Sequence, residues 1–465
     1  MSSTRESVNM RFRFFPILLL VLLLTACSIP GTTSTKRSLR EAAARKPVST
    51  PTPSPDWPKP QSCPDELSAN LNCYTPRDLR IAYNLESLVE QGFTGKGQTV
   101  VDIVPFGSPT VQEDMDIFDK QFGIPSVTVQ VYTPVGQVPS YNPDSNDMVQ
   151  AAAETELDVQ VIHAIAPGAG IAVLALPNPS FFDILNAEQY AVDNHLGQIF
   201  SQSFGIPETF VTENGGQGTA QRFANFYKEI TTQKGITIVS ASGDNGATDW
   251  ADTSRTRLSP IPTVDFPADV PWVTAVGGTT LTRTAKDYNE TAWPRSGGGV
   301  SKLFTEPDFQ QALPPAVQSE LAGYRGLPDV AADADPRTGM AFYFDGQWAQ
   351  VGGTSASAPF WAGIVAVANQ MAGHPLGFIN PGIYQLAALV SSRIATVGDF
   401  RDIISGDNSV NDGTVQVKGF SAVPGWDAVT GWGTPQAQQF IPDLIAVLSQ
   451  DRVPIPFTTP SIERQ

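Results

Sequence analysis

Between residues 98 and 276 the chain alternates short apolar β-type runs with longer amphipathic stretches. The runs cover 98–104 (QTVVDIV), 170–176, 198–203, 235–240 and 272–276; the helical candidates are 111–122, 148–163, 182–195 and 219–234. Strands this apolar have no solvent face, and a helix between successive strands is what a parallel crossover requires. The pattern predicts an α/β fold, a mostly parallel central sheet flanked by helices on both faces. With 465 residues and 41% hydrophobic content, the chain can build one large core. A single domain over 63–450 is the simplest division, with 451–465 as a loop-like tail.

The N-terminus carries a second pattern. Arg11 and Arg13 precede FFPILLLVLLLTA, an apolar run too short for a confident membrane span. It ends in Leu24-Thr25-Ala26-Cys27, which resembles a bacterial lipobox, so 1–26 is expected to be a lipoprotein signal peptide and Cys27 the acylated residue. An ordinary signal peptide or a short membrane anchor is the plainer alternative. Residues 27–62 are dense in Pro, Ser and Thr and read as a semi-extended tether. The expected location is the bacterial cell surface, lipid-anchored to the membrane, or the extracellular medium if the protein is released.

Acidic residues outnumber basic ones 46 to 29, and the net charge of −17 argues against a nucleic-acid partner. There are three cysteines. With Cys27 acylated, Cys63 and Cys73 remain, and in an oxidising compartment they are expected to form a structural disulfide. Two cysteines without nearby histidine do not make a four-ligand zinc site.

The segment Gly352-Gly353-Thr354-Ser355-Ala356-Ser357-Ala358-Pro359 precedes an apolar helix candidate. A serine at such a helix start lies where free N–H groups favour a developing anion, although Thr and Ser there also serve simply as caps. A nucleophilic serine needs a base. The three histidines, His163, His195 and His374, are none of them followed by Gly, so a His-Gly-Thr base motif is absent. Glu154 and Asp158 stand four apart and share one helix face, whereas Glu156 falls off it. Paired carboxyls either form a solvated acidic face or couple, which raises one pKa and makes a usable base. Their small, apolar surroundings speak against full solvation. Asp244 follows an apolar run in Ser-Gly-Asp-Asn-Gly, a sharp turn at a strand end, where an Asp is often only a turn former.

Taken together, these segments resemble the sedolisins, the acidic relatives of the subtilisins, over roughly 73–435. The resemblance implies a subtilisin-like fold and hydrolysis of peptide bonds in protein or peptide substrates by a serine-carboxyl endopeptidase. Ser355 would be the nucleophile, Glu154 its base and Asp158 the partner that orients Glu154. Asp244 would assist the oxyanion hole, which an Asp can do only when protonated, so acid activity is expected. Ser296, Gly297, Gly298 and Gly299, in WPRSGGGVSKLF, would give backbone to the substrate cleft. One structural Ca2+ would bind the Asp402 and Asp427 side chains and the carbonyls of Ile403, Val423 and Gly425. A monomer is expected. Two departures stand out: a short Pro-rich tether precedes the domain where relatives carry a large folded propeptide, and Pro105 and Phe204 occupy places where some relatives hold an accessory Glu and Trp. A catalytically silent surface lipoprotein that binds peptide or cell-wall components is the competing reading. A neutral subtilisin-like enzyme is a third.

Overall fold

The computed structural model describes residues 61–68, 73–213, 216–284, 287–391 and 398–450. The apolar runs form the middle of an eight-stranded sheet. In chain order the strands are β1 (Thr99–Pro105), β2 (Val129–Tyr132), β3 (Gly170–Leu176), β4 (Ile199–Gln202), β5 (Thr237–Ala241), β6 (Thr274–Arg283), β7 (Tyr288–Ala292) and β8 (Val330–Asp333). Across the sheet they run β8-β6-β5-β4-β1-β3-β2, all parallel, and β7 lies antiparallel beside the end of β6. Every residue of β4, β5 and β8 is buried, as expected of parallel strands covered on both faces. The sequence pattern does not mark β2, β7 and β8. Their sequences VQVY, YNETA and VAAD lack a long apolar run, and they are held as strands by their neighbours' ladders.

The longer helices are α1 (Val111–Phe122), α2 (Asn146–Ile165), α3 (Phe181–Asp193), α4 (Gln217–Gln233), α5 (Thr354–Ala372), α6 (Asn380–Ser391) and α7 (Ala437–Gln450). They sort by the parity of β1. Val100 and Val104 join a core with α1, α2, α5, α6 and α7, while Val101 and Ile103 join a second core with α3 and α4. Successive strand residues point to opposite faces, so one strand feeds both layers.

Two points fix how the site is assembled. A Cβ on Gly363 of α5 would lie 2.7 Å from the Ile165 Cβ of α2, so these two helices meet at backbone distance and only glycine fits there. Near the N-terminus, Cys63 and Cys73 are joined by a disulfide with Cα atoms 6.2 Å apart. The next residue, Tyr74, bridges to Met340 and accepts a hydrogen bond from the Ala341 N–H.

Buried carboxyl groups are common beneath the sheet. Glu188 of α3 is fully buried, accepting hydrogen bonds from Gln202 Nε2 at 2.6 Å and from the Tyr227 hydroxyl at 3.2 Å. Burial outweighs those bonds and pushes its carboxyl up to about 8. A carboxyl raised on folding stays protonated in the fold while the unfolded chain ionises. Its effect on stability is therefore absent below about pH 4 and grows unfavourable as pH climbs towards 8, by about 1.4 kcal/mol per unit. The melting temperature should fall by several degrees between pH 5 and pH 8, and Glu188→Gln should make that fall shallower; parallel curves for the two proteins would contradict this account.

Candidate active site

Ser355 is the second residue of α5. Gly353, just before the helix, has φ of 103°, and a Cβ on it would approach Asp244 Oδ2 to 2.5 Å. Glycine is required there on both counts. The first-turn N–H groups of a helix have no intrahelical acceptor and point outward from the helix start. Pro359 lies inside the same helix. It has no N–H to give the Ser355 carbonyl four residues earlier, and the Ser203 hydroxyl takes that place at 3.2 Å.

Helix α2 delivers the carboxyls. Glu154 and Asp158 lie on one face, Glu154 being 7% exposed and Asp158 fully buried. The Glu154 carboxyl is hydrogen-bonded to the Ser355 side chain, itself 7% exposed. Both groups thus just reach the surface where a substrate could arrive. Asp158 accepts a 2.7 Å hydrogen bond from Ser203 Oγ, so one serine spans the α5 start and the second carboxyl. Burial holds Glu154 well above the ordinary carboxylate range, the bond to Ser355 opposing and the charges of Asp244 and Asp102 adding to the rise. Asp158 is raised too, first by burial and then by the charges of Asp102 and Glu154. Glu156 is likewise buried, but its partner is Ser108, whose hydroxyl donates at 2.6 Å.

Asp244 sits in the turn after β5. Its Oδ1 accepts from the Thr354 N–H at 2.7 Å and from the Thr354 hydroxyl at 2.9 Å, which ties the turn to the start of α5. Arg295 Nε donates to the Asp244 carbonyl at 2.9 Å. Asp244 keeps partial solvent exposure, yet the enclosing atoms push its carboxyl above the usual value, with Thr354 and Arg295 opposing. Ser296, Gly297, Gly298 and Gly299 are buried beside this turn. Gly297 N–H donates to the Gly243 carbonyl at 2.7 Å, and the Ser242 hydroxyl donates to the Gly297 carbonyl at 2.6 Å. The Ser296 hydroxyl is occupied internally, between the Gly278 N–H and the Val429 carbonyl. This segment braces the Asp244 turn.

No histidine lies in this group. His163 is buried in α2 against the Pro125 carbonyl and Asp119, and His195 follows α3 with φ of 52°. Phe204 packs into the core with α3 and α4, and Pro105 ends β1 opposite Leu176. Three features of the site went unmarked by sequence reading: the Ser203 bridge, the Thr354 tether and Asp102, a carboxyl within QTVVDIV. Strand parity was the available signal for Asp102, because residue 102 shares the face of Val100 and Val104. Cys27 lies outside the described residues.

Far from Ser355 in sequence, Asp402 and Asp427 close one turn. Asp402 Oδ2 accepts from the Gly425 N–H at 2.9 Å, and Asp427 accepts from the N–H groups of Val423, Val429 and Thr430. Asp427 is 4% exposed, and burial raises its carboxyl to about 7. Among the described residues no group of three or more His, Cys, Asp or Glu could hold a metal. The contacts of the two carboxyls are backbone N–H donors, and their oxygens are of the kind a hard cation takes.

The subtilase family matches residues 148–378, the span from the start of α2 past the end of α5. Kumamolisin of Bacillus sp. (strain MN-32) is 34% identical over 397 residues, 82% of this chain and 66% of kumamolisin. Tripeptidyl-peptidase 1 of Homo sapiens is 30% identical over 404 residues, 80% of this chain and 64% of that protein. The chain thus spans slightly less than two thirds of these relatives' length. Among solved structures, Pseudomonas sedolisin, a serine-carboxyl proteinase complexed with two molecules of pseudo-iodotyrostatin, superposes with a TM-score of 0.68 at 27% identity. That alignment covers 82% of this chain and all of sedolisin.

Fold and site together define a protein of the subtilisin-like serine peptidase class. Within that class the chain belongs to the sedolisin family.

Proposed function

We propose that this protein is a serine-carboxyl endopeptidase that cleaves proteins in acid. The observation that carries the reading is the Glu154 carboxyl hydrogen-bonded to the Ser355 side chain at the start of α5, with no histidine nearby. In this reading Ser355 Oγ attacks the scissile carbonyl and its proton passes to Glu154. Asp158, on the next turn of α2, holds Glu154 in register. The tetrahedral oxyanion is met by the Ser355 N–H and by the Asp244 carboxyl in its protonated form, and Glu154 then protonates the departing amine. Water resolves the acyl-enzyme by the same steps in reverse.

The pH dependence follows from the directions of the shifts. Glu154 must be ionised to accept a proton, and its raised value sets the acid limb. Asp244 must be protonated to donate, so activity declines as pH rises through its value. Burial keeps that limb above the ordinary Asp range. Wild type should cleave a denatured protein with an optimum below pH 7, and Ser355→Ala should lose roughly three orders of magnitude or more. A folded, calcium-supplied wild type that is silent at every pH would favour the surface-binding reading, while an optimum above pH 7 that survives Glu154→Gln would favour a neutral subtilisin-like enzyme. Products confined to N-terminal tripeptides would replace the endopeptidase assignment.

The same proposal includes one structural Ca2+ held by Asp402 and Asp427 with the carbonyls of Ile403, Val423 and Gly425. Bound there, it would neutralise two carboxyls that face no basic side chain and would brace the 423–430 turn. Chelation should lower the melting temperature by a few degrees, and Asp427→Asn should abolish that response; an unchanged curve on chelation would remove the site. It also includes export and lipid anchoring through Cys27. The full-length protein should partition into detergent, and Cys27→Ser should send it to the aqueous phase; aqueous partitioning of the wild type would dismiss the anchor.

A further inference from the structure

Asp102 is a carboxyl in the middle of the central strand of the sheet, fully buried, with Val173 of β3 and Ser201 of β4 as its register partners on either side. By parity it faces the α2 and α5 layer with Val100 and Val104. Neither of its oxygens receives an N–H or hydroxyl donor, and neither does Asp158 Oδ2. Its hydrogen-bonding partner is the Asp158 carboxyl. Two carboxyls can bond to one another only when one of them carries a proton. The contact therefore stores one proton between β1 and α2, one residue away from Glu154 along the chain of carboxyls.

We propose that Asp102 is a positioning residue of the peptidase site: it shares a single proton with Asp158 and so sets the charge against which Glu154 works. The inference rests on the Ser355–Glu154 reading above. The groups acting on these carboxyls are few. Asp102 faces Asp158 from α2; Asp158 faces Asp102, Glu154 and the Ser203 hydroxyl; Glu154 faces Ser355, Asp244 and Asp102. No cation figures among them. With Asp102 in place, the pair keeps one negative charge near Glu154, which makes Glu154 a stronger base. The Ser203 hydroxyl has one proton and two acceptors, Asp158 Oδ1 and the Ser355 carbonyl. Ser203 Oγ donates to Asp158 Oδ1, so a shift of the shared proton towards Asp158 weakens that acceptor and turns the hydroxyl towards the Ser355 carbonyl. The state of the pair thus reaches the nucleophile's own backbone. A lone structural carboxyl would not.

The test compares Asp102→Val with Asp102→Asn in the full-length protein. Valine is close to Asp in shape and suits a strand, so it removes both charge and hydrogen bond at little steric change. Asparagine removes the charge and keeps a donor. In both variants Glu154 should become a weaker base, and the acid limb of kcat should move to lower pH by about one unit or more. KM should stay within about twofold, and Asp102→Val should lose at least tenfold in kcat at the wild-type optimum, more than Asp102→Asn. An acid limb that superposes on the wild type in both variants overturns the proposal. Failure of both variants to fold overturns it as well, since it makes Asp102 part of the scaffold. A wild type inactive at every pH is a separate result: it strikes the peptidase reading itself, before any variant is compared.

Discussion

The approach of α2 to α5 at Gly363 and Ile165 is the constraint from which the site follows. Where two helices pack through a glycine, their backbones come closer than side chains would permit, and here the C-terminal end of α2 is held against the middle of α5. Helix α5 begins with Thr354 and Ser355, and α2 carries Glu154 and Asp158 on the face turned towards it. The Asp244 turn is then pinned to the same helix start through Thr354, and Gly353 leaves room for the carboxyl. Three segments distant in sequence thereby converge on one helix terminus.

This convergence explains which parts of the molecule can be read without coordinates. The apolar runs of β1, β3, β4, β5 and β6 mark themselves because both faces of each are covered. The motif around Ser355 and the i, i+4 spacing of Glu154 and Asp158 are local, and so is the Asp244 turn. What escapes local reading is whatever depends on two segments at once. Strands β7 and β8 are strands because of β6. Ser203 matters because Pro359, more than 150 residues later, leaves a carbonyl without its donor. Asp102 sits in an apolar run and looks like an interruption of it until α2 is laid across that face. Ser296 to Gly299, expected to give backbone to the substrate cleft, lie beside the Asp244 turn, where Gly297 is bonded to Gly243 and Ser242.

The site also shows why burial matters more here than charge pairing. Glu154, Asp158, Asp102 and Asp244 are all raised chiefly by removal from water, and only Asp244 has a basic side chain close by. In a histidine-based arrangement the base would be neutral at rest and cationic in the transition state. In the mechanism proposed for Glu154 the base is anionic when it acts and neutral in the transition state, so a low-dielectric site would work in its favour as the proton arrives.

The raised carboxyl of Glu188 has a consequence for how the chain reaches its fold. At neutral pH Glu188, whose carboxyl is raised to about 8, enters the interior from an ionised state and must capture a proton on the way. Folding is then a proton-consuming reaction, and an unbuffered solution would turn alkaline as the protein assembled. Acidity of the surroundings therefore acts as a reagent in folding, and a chain emerging into an acidic medium meets one of its own stabilising ligands there.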